Sequence, residues 1–158
     1  MRGPPRGANR GPALVIALVG ADRRRYKDNL MVTVHAQPLV LLVDDYADAR
    51  EMYAELLQLS GFRVAQAADG EDALRQASAL VPDLILMDLS LPGLDGREAT
   101  RRLKASPRTA GIPVAILSGM PTELVRAAGA DACMTKPCSP EALVAEVQRL
   151  LARHVADG

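Results

Sequence analysis

The 158-residue sequence predicts an α/β fold, a parallel sheet with helices on both faces. Two observations predict it. Short, continuous apolar runs recur along the chain, each too short for a helix and typical of a buried parallel strand. Each run is followed by a segment in which apolar residues return at helical spacing. Five strands alternating with five helices, joined by short connections, indicate a doubly wound parallel sheet.

The regular pattern starts at Pro38. The first predicted strand, Leu39–Val43, ends in the acidic pair Asp44 and Asp45. In the helix predicted after it, apolar side chains recur at helical spacing and Gly61 can end the helix. These apolar residues are Met52, Leu56 and Leu59.

The middle of the chain repeats the alternation. Arg63–Ala67 is a weaker strand, and a turn at Asp69-Gly70 leads to a helix over Glu71–Leu80. The residues expected to face inward from that helix are Ala73, Leu74, Ala77 and Leu80. Leu84–Met87 is the third strand and ends at Asp88, before a Pro92-Gly93 turn.

The last part of the chain completes the pattern. A helix is predicted near Arg97–Lys104, and a short one near Thr122–Ala128. Strands are predicted at Val114–Leu117, ending at Ser118, and around Ala132–Met134, ending at Lys136. Ser139 has the character of an N-cap, with Pro140 at the first position of a helix that runs to about Arg153.

Charge and composition separate a leader from the body. Residues 1–37 hold seven Arg and Lys against two Asp, a net charge of +5, and residues 38–158 carry a net charge of −5. The Arg, Gly and Pro of residues 1–12 disfavour packing. The apolar run Ala13–Ala21 faintly resembles a secretory signal. We expect a disordered basic leader at 1–37, with Met31 an alternative start, and one domain at 38–158.

Composition also narrows the class of function. An acidic body argues against a general nucleic-acid binder. No apolar run approaches the ~20 residues that span a bilayer. The two cysteines, Cys133 and Cys138, are too few for a disulfide framework and lack zinc-ligand spacing, so we expect reduced thiols in the cytoplasm.

Polar residues follow four of the predicted strands: Asp44, Asp45, Asp88, Ser118 and Lys136. In open α/β sheets ligands bind outside the carboxyl ends of the strands, so these side chains should converge. Neighbouring carboxylates repel unless a cation joins them, and Mg²⁺ suits a few carboxylates beside a phosphate. A lysine suits a phosphoryl oxygen, and a hydroxyl can donate to the same group. Each residue alone would be an ordinary helix start, turn or loop residue. Together they predict an aspartyl-phosphate site.

Four segments resemble, in order, the motifs of bacterial response-regulator receiver domains: LVLLVDDYADARE, DLILMDLSLPGLDG, VAILSG and GADACMTKP. The resemblance spans about Pro38 to Ala152. It implies a flavodoxin-like (βα)5 fold with strand order 2-1-3-4-5, and a two-component phosphorelay function. Asp88 would be the phosphoacceptor, Ser118 the switch hydroxyl and Lys136 the family's lysine.

The resemblance also implies a metal site and a backbone feature. Mg²⁺ would be held by the carboxylates of Asp45 and Asp88, by Asp44 mainly through water, and by the backbone carbonyl of Ser90. The Lys136–Pro137 peptide would be cis. The chain departs from the family at Cys133, usually Tyr or Phe, and at Cys138, often Phe. The stretch from Ser118 to Lys136 is also short by about one helical turn of ~3.6 residues.

Two other classes of function compete with this interpretation. A haloacid-dehalogenase-like aspartyl phosphatase would need a second Asp two residues after its nucleophile, and Ser90 stands there. A purely structural domain would not keep the acid–Ser–Lys set. Only 22 residues follow Lys136, so we expect a stand-alone receiver without a DNA-binding domain. Its partners would be a sensor histidine kinase or phosphotransfer protein and a downstream protein, in the cytoplasm and without membrane contact. It would catalyse only its own phosphorylation and dephosphorylation.

Overall fold

The structure, a computed structural model, describes residues 36–119, residue 126 and residues 128–157. The strands are β1 (Leu39–Val43), β2 (Arg63–Ala67), β3 (Leu84–Asp88), β4 (Val114–Ser118) and β5 (Ala132–Thr135). The helices are α1 (Ala47–Leu59), α2 (Gly70–Leu80), α3 (Gly96–Ala105) and α4 (Pro140–Ala156). The short helix predicted near Thr122–Ala128 falls almost wholly outside the described residues, as do residues 1–35 of the predicted leader. Among the described residues, no helix is both long and apolar enough to cross a membrane.

The five strands form one parallel sheet in the order β2-β1-β3-β4-β5. The predicted α/β class and strand order are therefore confirmed. Val43, the last residue of β1, pairs with Ala67 on one side and with Met87 on the other. Because the strands are parallel and in close register, their carboxyl ends meet at one edge of the sheet, which we call the carboxyl edge.

The core consists of two apolar layers, one on each face of the sheet. Alternate residues of a strand point to opposite faces, which is why continuous apolar runs suit buried strands. On one face α1 and α4 cover the sheet through Tyr53, Ala54, Leu57, Leu143, Val147 and Leu150. On the other face α2 and α3 cover it through Ala73, Ala77, Ala99 and Leu103. The sheet is thus enclosed, and its carboxyl edge is where polar side chains can gather.

Two predictions about helix faces were wrong in part. Met52 is 56% exposed and Leu59 is 82% exposed, whereas Tyr53, Ala54 and Leu57 are buried. The face of α1 that packs on the sheet is therefore rotated from the face that the apolar spacing suggested, and Leu56 lies partly buried at its border. Leu80, the last residue of α2, is 48% exposed because the helix ends there and the chain turns at Val81.

Side chains cap three of the helices at their amino ends. The carboxylates of Asp69 and Asp95 accept hydrogen bonds from the backbone N–H groups of Asp72 and Glu98, each at 2.8 Å. The hydroxyl of Ser139 accepts from the N–H of Ala142 at 3.1 Å, so the predicted N-cap of α4 is confirmed. These bonds satisfy N–H groups that have no partner within the helix.

Candidate functional site

Three carboxylates gather at the carboxyl edge, where β1 and β3 end side by side. Asp44 and Asp45 follow β1, and Asp88 is the last residue of β3. One carboxylate oxygen from each lies within 4.8 Å of the other two. Asp44 is 1% exposed and Asp88 is 7% exposed, whereas Asp45 is exposed to solvent. The predicted convergence of these acids is present in the structure.

Lys136 brings a positive charge to the cluster from the far side of β4. Its Nζ lies 3.3 Å from Oδ2 of Asp88 and 3.5 Å from Oδ2 of Asp44. The Lys136 backbone N–H donates to the carbonyl of Ser118 at 2.8 Å, which continues the pairing of β4 with β5. The Lys136–Pro137 peptide that follows is cis, as expected. Partial burial would lower the pKa of Lys136, but attraction to Asp88 and Asp44 outweighs burial and raises it.

Asp88 is the acid whose ionisation the fold opposes most clearly. Burial raises the pKa of Asp88 above its ordinary value, and repulsion by Asp44 adds to that effect. Attraction to Lys136 and a hydrogen bond from the Ser90 N–H to Oδ1, at 3.2 Å, act in the opposite direction. Asp88 therefore has a lysine and an amide beside its carboxylate, in a setting poor in water.

The two predicted serines lie beside Asp88. Ser118 ends β4, the strand next to β3, and is 1% exposed. Leu117 pairs with Asp88 in the sheet, which puts Ser118 at the same edge. Ser90 is two residues beyond Asp88 and contacts it through its backbone N–H. The haloacid-dehalogenase alternative requires a carboxyl group at that position, and this serine offers none.

Two residues that support the site carried no predicted role. A Cβ atom on Gly96 would lie 2.1 Å from the carbonyl oxygen of Asp88 and 2.9 Å from Cα of Leu89. The first turn of α3 therefore packs directly on the backbone at the end of β3, which only a glycine permits. The sequence signal was a glycine directly after an Asp N-cap. The second residue, Arg50, donates from Nη1 to the carbonyl of Asp44 at 2.8 Å, and no sequence pattern marked it.

Neither cysteine belongs to the group of carboxylates. Both are free thiols of intermediate exposure. Cys133 packs against the core layer beneath α2 and α3, and Cys138 packs against the opposite layer. Cys133 also lines an open cavity of about 480 Å³ beside β5, together with Asp131, Glu146 and Arg149 among others. The departure at Cys133 thus concerns a surface beside β5.

The chemistry of the three carboxylates suits a hard divalent cation. They offer oxygen atoms only, close enough to share one ion, and no His or Cys belongs to the group. Hard cations such as Mg²⁺ and Ca²⁺ prefer such ligands, and Mg²⁺ is typically held by one or two carboxylates, water and a phosphate. Lys136 beside them adds a positive charge, which suits the oxygens of an anion such as a phosphoryl group. The arrangement can therefore hold a phosphoryl group beside a carboxylate.

Comparisons with known proteins agree on one family. Residues 40–148 match the model of the response regulator receiver domain. The phosphate regulon transcriptional regulatory protein PhoB of Escherichia coli is 39% identical over 118 residues, which are 72% of this chain and 52% of that protein. The transcriptional regulatory protein PrrA of Mycobacterium tuberculosis is 40% identical over 128 residues, 78% of this chain and 54% of that protein. The chain thus spans about half the length of the curated relatives it matches.

Solved structures give the same result. The chemotaxis protein CheY4 of Vibrio cholerae superposes with a TM-score of 0.69 at 31% identity, over 73% of this chain and 99% of that one. The receiver domain of the Francisella response regulator 1452 superposes with a TM-score of 0.69 at 30% identity, over 74% and 98%. The fold, the order of the motifs and these matches agree, and the chain belongs to the response regulator receiver domain family of two-component signalling proteins.

Proposed function

We propose that this protein is a phosphoacceptor of a two-component phosphorelay, with Asp88 as the residue phosphorylated. The observation that carries the proposal is the position of Lys136 Nζ, 3.3 Å from Oδ2 of Asp88, inside a group of three carboxylates. A nucleophilic carboxylate, a fixed cation and a site for a metal ion are what transfer to an aspartate requires.

The step is a displacement at phosphorus. An Asp88 carboxylate oxygen attacks the phosphorus of a phosphohistidine on the donor protein, and a new P–O bond forms. The P–N bond breaks, and the imidazole nitrogen keeps the electron pair and takes up a proton. Asp88 must be ionised for this attack, and Lys136 favours the ionised form although burial opposes it.

Each neighbouring residue has a role in the acyl phosphate that results. Lys136 pairs with a phosphoryl oxygen, and the hydroxyl of Ser118 donates to another. Asp44, Asp45, Asp88 and the carbonyl of Ser90 would hold Mg²⁺, which supplies positive charge to the phosphoryl oxygens when bound. The acid pair thus serves the metal ion, and Asp88 serves both the metal ion and the phosphorus.

The proposal extends to partners. The donor would be a sensor histidine kinase or a histidine phosphotransfer protein in the cytoplasm, in keeping with the family. The output would be a contact with another protein, or onward transfer of the phosphoryl group. PhoB and PrrA are named as transcriptional regulatory proteins, but the match covers about half of each, so we propose no DNA-binding role for this chain.

Radiolabelled acetyl phosphate with and without Mg²⁺ tests the proposal. We expect a label that hydroxylamine removes, that depends on Mg²⁺, and that is absent from Asp88→Asn, which keeps the side-chain shape. In Asp45→Ala, adding Mg²⁺ should increase the amount of label much less than it does in the wild type. Asp157→Asn, an exposed acid at the end of α4, is the matched control and should label like the wild type. Persistence of the label in Asp88→Asn would refute the assignment.

A further inference from the structure

Arg50 lies beside the acid pair and contacts it through the backbone. We propose that Arg50 is a positioning residue, which sets the direction of the Asp45 carboxylate toward the bound cation. The inference rests on the proposed function, because it assumes that the three carboxylates bind Mg²⁺. It gives a role to a positively charged side chain next to a cation site. Charge alone would make an arginine there unfavourable for Mg²⁺ binding, because the two positive charges repel.

The contact is made to a peptide unit that matters for metal binding. The carbonyl that accepts from Nη1 of Arg50, at 2.8 Å, belongs to the peptide unit joining Asp44 to Asp45. A peptide unit is planar, so fixing its carbonyl fixes the orientation in which the chain enters Asp45. The Asp45 side chain is exposed and has no surrounding core to hold it. The orientation of this peptide unit therefore limits the positions that the Asp45 carboxylate can reach.

The rest of the turn is already held on the other side. The N–H of Asp44 donates to the carbonyl of Ala67 on β2 at 3.1 Å. The Asp44 carboxylate accepts from the N–H of Tyr46 at 2.9 Å through Oδ1. These bonds fix the peptide unit before Asp44 and the carboxylate of Asp44 itself. The peptide unit after Asp44 is the one that the Arg50 guanidinium holds.

The guanidinium is itself anchored to the edge strand. Nε of Arg50 donates to Oε1 of Gln66 on β2 at 3.2 Å. The backbone carbonyl of Gln66 in turn accepts from Nε2 of Gln76 on α2 at 2.7 Å. Arginine can donate in two directions from one rigid plane, and lysine cannot. A series of hydrogen bonds thus connects α2, through Gln66 of β2 and Arg50 of α1, to the turn that carries the acid pair.

Charge and geometry predict opposite effects of removing Arg50. If the residue acted only as a positive charge, its loss would reduce repulsion of Mg²⁺ and tighten binding. If it positions the turn, its loss frees the peptide unit and weakens binding. Groups that orient metal ligands typically contribute about tenfold or more to metal affinity. The sign of the change in affinity therefore separates the two roles.

Titration calorimetry of the whole chain with MgCl₂ measures that sign. We expect Arg50→Ala to bind Mg²⁺ about tenfold more weakly than the wild type. Arg50→Lys keeps the charge, but its single ammonium nitrogen cannot reproduce the two fixed donor directions of the guanidinium, so its affinity should be intermediate. Arg153→Ala removes an exposed arginine from the last turn of α4 and should bind like the wild type. Thermal melts in EDTA verify that each variant is folded.

The outcomes are distinct. Wild-type protein that binds no Mg²⁺ at millimolar concentration overturns the proposed function and this inference with it. Wild-type binding together with equal or tighter binding by Arg50→Ala overturns the role of Arg50 alone. If Arg50→Ala does not fold, Arg50→Lys decides, and wild-type affinity in that variant overturns the inference.

Discussion

The close packing of α3 on the end of β3 can be tested by adding one methyl group at Gly96. In Gly96→Ala the new Cβ would lie 2.1 Å from the Asp88 carbonyl oxygen, 2.9 Å from Leu89 Cα and 3.0 Å from the Asp88 carbonyl carbon. All three atoms are backbone, so no side chain can rotate away. Relief requires that α3 and the end of β3 separate by about 1.4 Å, since ordinary contacts between such atoms are about 3.5 Å.

The size of the effect follows from two opposing contributions. Overpacking of this kind costs about 1–3 kcal/mol, and backbone on every side favours the upper end. Alanine restricts the unfolded chain and returns about 0.4–1 kcal/mol. The net loss in the free energy of unfolding is thus about 2 kcal/mol, or a Tm lower by about 6–10 °C for a domain of this size.

Thermal melting and labelling with acetyl phosphate are the two assays. Gly111→Ala is the matched control, because a Cβ at Gly111 meets nothing within 4 Å and its backbone is not left-handed. It should melt at or slightly above the wild-type temperature. In Gly96→Ala we also expect slower labelling, since a displacement of about 1 Å at a reacting group can cost ~10²-fold in rate. A Gly96→Ala protein that melts like Gly111→Ala would refute the reasoning.

The remaining predictions concern charge, backbone strain, the leader and the surface beside β5. Burial raises the pKa of Asp88, so its charge costs stability once the pH exceeds the ordinary carboxyl pKa of 3.8. Asp88→Asn should therefore raise Tm in EDTA at neutral pH, and this gain should vanish in acid; a gain that is larger in acid would contradict it. Val81 has a left-handed φ of +46° and is 45% exposed, so Val81→Asn should stabilise by about 1 kcal/mol, with Val155→Asn as the control. Deletion of residues 1–30 should leave Tm and the labelling rate nearly unchanged, and a loss of several degrees would show that the leader stabilises the domain. Cys133 lacks the aromatic ring through which a movement at the site could reach the surface beside β5. Beryllofluoride, a mimic of the phosphoryl group, should therefore change the amide chemical shifts less across Ala132–Glu146 than around Asp88; equal changes would contradict this.

Much of the fold could be predicted because the apolar runs that form strands are short and continuous, whereas the segments that form helices are longer and have apolar residues at helical spacing. The bounds predicted for β1 and β2 match the structure, and Ser139 caps α4 as expected. The apolar spacing in α1 misled for a physical reason. Met52, Leu56 and Leu59 share a helix face, but Tyr53, Ala54 and Leu57 contact the sheet. A helix with apolar residues on neighbouring faces has its buried face selected by the partner it packs on.

What the sequence by itself determined was the set of chemical groups and the edge at which they appear. Parallel strands end at one edge, so Asp44, Asp88 and Ser118 had to meet there once the strands were recognised. The tertiary structure alone decided the distances: the side chain of Lys136 reaches past β4 to lie 3.3 Å from Asp88. It also decided the roles of Gly96 and Arg50, since a close backbone approach and a bond to a carbonyl depend on how α3 and α1 are placed against the sheet. The chemistry of a side chain can be read from its own position in the sequence. Contacts between the backbones of distant segments arise only when the whole sheet has formed.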